Sequence, residues 1–424
     1  MSEKSVAQNK LTKLEKYWIL YDVGNSAFTM LVSTLIPICF NSLAESAGVS
    51  PTDYLAYWGY AASISTLIVA FLGPILGTIA DTKDFKKPIF TTCMMVGVIG
   101  CAALSLPLSW ILFLTVFIIA KVGFSASLIF YDSMLTDVTT PDRMDMVSSH
   151  GYAWGYIGSC VPFILSLAVV LGSDVLGITK LTGMAIAFLI NAAWWFLVTL
   201  PLLKNYKQIY YASHKGNTIK HSFIRLYETF RDIKKDKNIF VFLLAFFFYI
   251  DGVYTIIDMA TAYGQSLGLD SQGLLLALLL TQIVAFPCAL LFSWLAKKYK
   301  NTTLIRICII CYTFIALFAV QLDKQWEFWF LAICVGIFQG AIQALSRSYF
   351  ARIIPPEKAG EYFGIYDIFG KGAAFLGTSM IAIIVQLTQK QNLGIAFIPV
   401  MFLIGIFFFN KSVKLNEGKN NTAA

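Results

Sequence analysis

Apolar residues run along nearly the whole chain in stretches of about 20, each long enough to cross the ~30 Å hydrocarbon core of a bilayer as a helix. Such stretches fall near 17–40, 54–80, 89–108, 110–133, 150–171, 181–203, 239–263, 273–296, 303–320, 327–350, 361–388 and 393–410. The pattern predicts an all-α polytopic membrane protein with twelve transmembrane helices. The longest polar interruption, 204–237, carries nine Lys/Arg against three acids and falls between spans six and seven. It divides the chain into an N-terminal six-helix bundle (1–203), a basic cytoplasmic linker (204–237) and a C-terminal six-helix bundle (238–424).

An internal repeat supports the division. At an offset of 215 residues Asp132-Ser133 lies over Arg347-Ser348, Asp137 over Arg352, Pro141-Asp142-Arg143 over Pro356-Glu357-Lys358, and Gly155 over Gly370. Tyr21-Asp22-Val23-Gly24 in span one is matched more loosely by Tyr249-Ile250-Asp251-Gly252 in span seven. Repeats that run in the same direction imply a pseudo-two-fold axis along the membrane normal, with a central path between the bundles.

Composition narrows the function class. With 58% hydrophobic and 13% charged residues, the chain is excluded as a secreted or nucleic-acid-binding protein. The +8 charge matters through its placement. In and beside alternate loops the basic residues total 27 of 32, the opposite loops hold only Lys180, Lys324 and Lys390, and Lys121 and Lys371 lie inside spans. That bias assigns both termini to the cytoplasm. The first apolar stretch is too long for a signal-peptide core and contains Asp22, so it is expected to remain as the first span. The sequons at Asn301 and Asn420 then face the cytoplasm and stay unmodified.

All eight cysteines lie in apolar stretches, and the C-x-x-C at Cys308 and Cys311 has no second ligand pair. His214 and His221 have no companion ligand nearby, so neither a metal nor a cofactor is expected. Neither H-E-x-x-H nor G-x-S-x-G occurs, and Gly364 to Gly372 lacks the spacing and hydroxyl of a phosphate loop. The chain reads as a non-enzyme.

The informative residues are ionisable groups inside spans, each costing roughly 2.5–3.5 kcal/mol at the bilayer centre unless paired or hydrated. Span one aligns Asp22, Ser26, Thr29 and Ser33 on one face, with Asn25 beside them. Span four aligns Lys121, Ser125 and Asp132; span seven aligns Asp251, Thr255 and Asp258, with Tyr254 adjacent; span ten contributes Gln339, Gln343 and Arg347. Polar stripes on spans one, four, seven and ten are the period expected of helices turned toward a shared hydrated cavity. Near cytoplasmic span ends the same groups also serve simply to tie helices together. On span eleven Lys371 stands at i+4 from Asp367, either as a structural ion pair or as a solute contact. Candidate substrate or coupling-ion residues are therefore Asp22, Asn25, Lys121, Asp251, Tyr254, Asp258, Gln339, Gln343, Arg347 and Lys371. In the working picture Asp22 and Asp251 beside Lys121 hold a zwitterion, and Tyr21, Tyr249 and Tyr254 surround its side chain.

The loop Gly77-Thr-Ile-Ala-Asp81-Thr-Lys-Asp-Phe-Lys86-Lys87 resembles the gating loop of the major facilitator superfamily, with one extra residue before the basic pair. Its counterpart after span eight has lost both Gly and Asp. Gly77, Asp81, Asp132 and Arg143 are the gating candidates. The strings Trp18-Ile-Leu-Tyr-Asp-Val-Gly-Asn-Ser-Ala-Phe28, Ser149-His-Gly-Tyr-Ala-Trp-Gly-Tyr-Ile-Gly158, Tyr249-Ile-Asp-Gly-Val-Tyr-Thr-Ile256 and Gln339-Gly-Ala-Ile-Gln-Ala-Leu-Ser-Arg-Ser348 resemble the autophagy-linked vacuolar amino-acid effluxer family of that superfamily, including its bacterial members.

The resemblance implies export of amino acids, and the whole reading is of a monomeric secondary transporter in a bacterial plasma membrane, in contact with membrane lipids and with no nucleic-acid partner, in which protonation of Asp251 or Asp258 is the expected coupling step. Two alternatives stand beside it: a facilitator for a drug, sugar or lipid, and a non-transporting sensor or scaffold that docks through its basic linker. The linker's run Lys234-Lys-Asp-Lys237, with Arg225 and Arg231, reads either as a plain topology anchor or as a surface for anionic lipid headgroups through a short amphipathic helix around 222–233. Deleting 208–220 is expected to remove activity in a sensor and mostly to spare it in a transporter.

Overall fold

In a lipid core every backbone N–H and C=O must be satisfied within its own segment, so long apolar runs become helices. The computed structural model describes residues 10–212, 228–229 and 231–423. Twelve long helices follow in order: α1 (Lys13–Ser46), α2 (Pro51–Ala80), α3 (Lys86–Ala103), α4 (Trp110–Ser133), α5 (Met144–Leu171), α6 (Lys180–Asn205), α7 (Lys237–Ser266), α8 (Ser271–Leu295), α9 (Asn301–Ala319), α10 (Gln325–Ile353), α11 (Ala359–Thr388) and α12 (Phe397–Ala423). Eleven of the candidate spans are long and apolar enough to cross a bilayer on length and composition alone, and α3 is the remaining helix. It runs Lys86–Ala103, earlier than the expected 89–108, because the chain leaves the helix before Pro107.

Helix α1 also departs from expectation, starting at Lys13 and breaking at Thr34 (φ −133°, ψ −82°). Pro37, in the first turn of its second segment, has no N–H to donate backwards, which accommodates the break. At the other end a capping box closes the helix: Glu15 N donates to Thr12 Oγ1 (3.2 Å), and Thr12 N donates to Glu15 Oε2 (2.7 Å).

Helices α1–α6 and α7–α12 form two bundles. Within the first, α1 packs on α5 and α6, and α3 packs on α4 and α6; within the second, α7 packs on α11 and α12, and α10 on α8 and α9. The bundles meet along α2–α11, α5–α8, α5–α10 and α4–α11. The tightest crossing is at Gly77, where a Cβ would collide with the Gly360 carbonyl, while Gly360's own Cβ would lie 2.7 Å from the Gly77 carbonyl. Only glycine on both helices lets the two backbones touch.

The linker begins as packed structure. Buried Asp137, in the short turn after α4, accepts from Lys86 Nζ (3.1 Å), the Tyr206 hydroxyl (2.5 Å), and the backbone N–H groups of Ile209 (3.0 Å) and Tyr210 (2.9 Å). Burial and the neighbouring Asp137 hold the Tyr206 hydroxyl well above its ordinary pKa, so it stays a donor. Ala212 N then donates to the Asp81 carbonyl (2.8 Å). The expectation that a transporter tolerates loss of 208–220 therefore needs correction, because that deletion removes partners of a buried carboxylate. His214, His221 and most of the expected helix at 222–233 lie outside the described residues.

Asp137→Ala should leave the fully buried Lys86 ammonium without its hydrogen-bonded carboxylate, with Asp81 at 4.0 Å as its remaining anion. Breaking such a pair typically costs about 3–5 kcal/mol. Thermal unfolding of the purified protein should show a clear loss of stability, larger than for Lys86→Met/Asp137→Leu, which removes both charges.

Candidate functional site

The bundles are held together at the end of the molecule that carries most of the Lys and Arg, where α1 begins and α10 ends. Arg347, on α10, reaches out of its own bundle into the other. Its Nη1 meets Asp132 Oδ1 (2.9 Å), its Nη2 lies 3.6 Å from Asp22 Oδ2 and donates to the Ser148 carbonyl (3.0 Å), and its Nε donates to Ser148 Oγ (2.9 Å). Three aromatic rings enclose the guanidinium, with centroids at 4.8 Å (Trp18), 5.5 Å (Tyr131) and 4.5 Å (Tyr152). Tyr131 hydroxyl in turn donates to Asp22 Oδ2 (2.9 Å). With its side chain 3% exposed, Arg347 is a cation whose hydrogen-bond and ion-pair partners among the described residues come from the opposite bundle.

A second tie lies nearer the surface. Arg352 Nη2 meets Asp145 Oδ2 (2.5 Å), and its Nε donates to the Pro141 carbonyl (2.7 Å). Asp145 also accepts from Ser348 Oγ and from the Asn301 side-chain amide. Asn301, one of the sequon residues, is thus buried with its amide nitrogen engaged.

The third tie is Asp81, fully buried, which accepts from the backbone N–H groups of Gly360 (2.8 Å) and Glu361 (2.9 Å) at the start of α11, with Lys86 Nζ 4.0 Å away. It is a carboxylate on the positive end of a helix in the other bundle. Burial pushes its carboxyl up to about 7, against Lys86 and the two N–H groups, which draw it down. Glu361 is itself held by Thr229 of the linker, and Lys358 lies 3.5 Å from Asp232. The linker therefore reaches both sides of this closure.

Apart from that face, the C-terminal bundle holds a carboxylate near mid-span. Asp251 is 0% exposed; its Oδ1 accepts from Gly377 N (3.1 Å) and Thr255 Oγ1 (3.2 Å), while its Oδ2 is buried with no partner among the described residues. Any side chain at Gly377 would overlap Asp251 Oδ1. Gln339 and Thr255 border a neighbouring apolar cavity of about 100 Å³ between α7, α8 and α10.

The sequence candidates thus separate into groups. Asp22, Asp132 and Arg347 come together, and Gly77 and Asp81 join the same closure. Asn25 spends its amide on the Tyr21 carbonyl of its own helix (2.9 Å). Lys121 lies 5.7 Å from the Phe117 ring on α4, Lys371 pairs with Asp367 (2.6 Å), and Gln343 and Tyr254 are half-buried. The side chain of Asp258 lies outside the described residues. Arg143 pairs with Glu15 (2.7 Å) and bonds the Lys10 carbonyl (2.9 Å), both in its own bundle, so these contacts brace α1 rather than bridge the halves.

Two expectations are corrected. Asp22 pairs with Arg347 and Tyr131 rather than standing open beside Lys121. Tyr21 and Tyr249 are fully buried, their hydroxyls bonded to Ser127 (2.5 Å) and Ser346 (2.6 Å), so neither surrounds a solute. Helical periodicity by itself gives no site role to Asp137, Asp145, Ser148 or Arg352. The repeat held the signal, since Asp137 and Arg352 occupy equivalent positions with opposite charge, as do Asp132 and Arg347.

If Arg347 closes this face, a cysteine at fully buried Ala344 in a background without the native cysteines should react slowly with a thiol reagent. Arg347→Gln should speed labelling about tenfold or more, the order for loss of ~1.5 kcal/mol or more of closure. The reversed pair Asp132→Arg/Arg347→Asp should recover part of the protection.

Residues 12–143 and 136–423 match the family described as vacuole effluxer Atg22 like. The chain is 42% identical over 402 residues to YxiO of Bacillus subtilis, an uncharacterized MFS-type transporter, covering 94% of each chain. It is 24% identical over 311 residues to autophagy-related protein 22 of Saccharomyces cerevisiae, covering 64% of this chain and 58% of the yeast protein. Among solved structures it is similar to the major facilitator superfamily transporter FucP in an outward conformation (TM-score 0.70, 13% identity, 94% and 97% covered) and to a bacterial homologue of ferroportin (TM-score 0.68, 13% identity, 95% and 98% covered). The chain is a multi-pass membrane protein of the Atg22-like family, a secondary transporter of the major facilitator superfamily rather than an enzyme.

Proposed function

We propose that the protein exports amino acids across a bacterial plasma membrane by proton-coupled alternating access, with residues 1–203 and 238–424 rocking about the central path as a monomer. The observation that carries this reading is Arg347 held by Asp132 and Asp22 of the opposite bundle. The inter-bundle bonds named above all gather at the basic end, which the Lys/Arg bias assigns to the cytoplasm. The arrangement is then closed toward the cytoplasm. Opening that side separates Arg347 from its two carboxylates and exposes one cation and two anions at once. A zwitterion has the matching groups: its carboxylate takes the guanidinium and its ammonium takes Asp22 or Asp132, so that solute binding offsets the cost of breaking the closure. The amino-acid class follows from the resemblance to the effluxer family.

Asp251 is the proposed proton carrier. A buried carboxylate with one unpartnered oxygen is costly as an anion and far less so when protonated. Its coupling would pass through α11, which both Gly377 and the Asp81 contact belong to.

Counterflow into liposomes preloaded with leucine or tyrosine tests both parts. Saturable uptake of labelled leucine is expected, and Asp251→Asn should abolish the response to a pH gradient while leaving exchange within about twofold, since exchange needs no net proton movement. Absence of saturable uptake by folded protein would count against the amino-acid reading, and an unaltered pH response in the variant would count against Asp251.

A further inference from the structure

At the basic end, between the first turns of α9 and the last described turns of α12, a cleft of about 450 Å³ is lined by Lys300, Arg306, Lys414, Asn410 and Glu417. Three cations face one carboxylate, leaving the cleft positive. The protein satisfies it only in part. Arg306 Nε donates to Asn410 Oδ1 (2.8 Å), which fixes the guanidinium, while its Nη groups have no protein partner among the described residues. Lys300 and Glu417 approach at 3.8 Å with side chains 80% and 60% exposed, a loose pair.

The surroundings identify the occupant. Moving along both helices from the cleft toward mid-span, the outward residues become large and apolar: Ile310 and Phe314 on α9, Leu403 and Phe407 on α12, 41–66% exposed. A membrane-spanning chain presents such side chains to acyl tails, so the cleft sits where those tails end and headgroups begin. A fixed guanidinium and two flexible ammonium groups in one cleft suit a phosphodiester, and the apolar ridge below suits the chains attached to it.

We propose that this cleft binds the headgroup of an anionic phospholipid, with Arg306, Lys300 and Lys414 on its phosphate and the acyl chains laid along α9 and α12. The site lies on the outside of the C-terminal bundle and is independent of the transported solute. Bound lipid would brace α12 against α9, and so stabilise the bundle that carries Arg347.

Thermal unfolding of the detergent-purified protein, titrated with dioleoylphosphatidylglycerol, dioleoylphosphatidylcholine or inorganic phosphate, tests the proposal. The expected result is a saturable rise in unfolding temperature with phosphatidylglycerol only. Arg306→Gln/Lys414→Gln should weaken that response about tenfold or more, the order for removing two cationic contacts at a lipid surface. The charge-matched Lys13→Gln/Lys16→Gln, exposed at the start of α1 on the same end but in the other bundle and outside the cleft, should leave it unchanged. Should the double variant be unstable without lipid, Lys414→Gln alone, at an exposed position, should still weaken the response severalfold. An equal rise with phosphatidylcholine overturns the requirement for net anionic charge, and an equal rise with inorganic phosphate shows a free-anion site instead. An unchanged response in the cleft variants places the lipid elsewhere.

Discussion

Arg347 is a guanidinium that its own bundle cannot satisfy. Desolvating it would be prohibitive without anions, and those anions, Asp132 and Asp22, stand on α4 and α1 of the other half. That one constraint makes the closed basic face a specific state rather than a loose apposition of two apolar surfaces. In lipid, where apolar surfaces gain little by choosing each other over acyl tails, polar ties of this kind decide which arrangement of the two bundles prevails.

The other ties follow from the approach that Arg347 requires. Asp81 meets the N-terminal amides of α11 only because Gly77 and Gly360 let α2 and α11 touch at the backbone. Arg352 reaches Asp145 one turn beyond Arg347 on the same helix. The linker covers this end through Asp137 on one side and Glu361 on the other, so the segment joining the bundles is also bonded to the residues that hold them closed. Closure is therefore distributed over a buried ion pair, a helix terminus and a strap.

The pairing of Asp132 with Arg347 has a geometric basis. Positions related by a pseudo-two-fold axis face each other when they lie close to it, and these two are 215 residues apart, the repeat offset. Opposite charges at such positions attract across the axis, where identical ones would repel. Asp137 and Arg352 show the limit of that logic. They share the offset, yet Asp137 turns to Lys86 and the linker, while Arg352 finds Asp145.

Twelve spans, their division into two bundles and the basic end were all legible in the chain, because the cost of burying polar backbone in lipid forces apolar runs into helices whatever their neighbours are. The polar stripes on the first, fourth, seventh and tenth helices were legible for the same reason, since an ionisable group in a span must have a partner or water. Which partner it has is a different matter. Asp22 and Asp251 occupy similar places in similar strings, yet one meets a guanidinium from the opposite bundle and the other a glycine amide of α11 with an oxygen left over. Helical periodicity tells which side chains share a face. It carries no information on which helix lies opposite, at what depth, or in which state of closure, and those are set by the packing of two bundles whose contacts are distant in sequence.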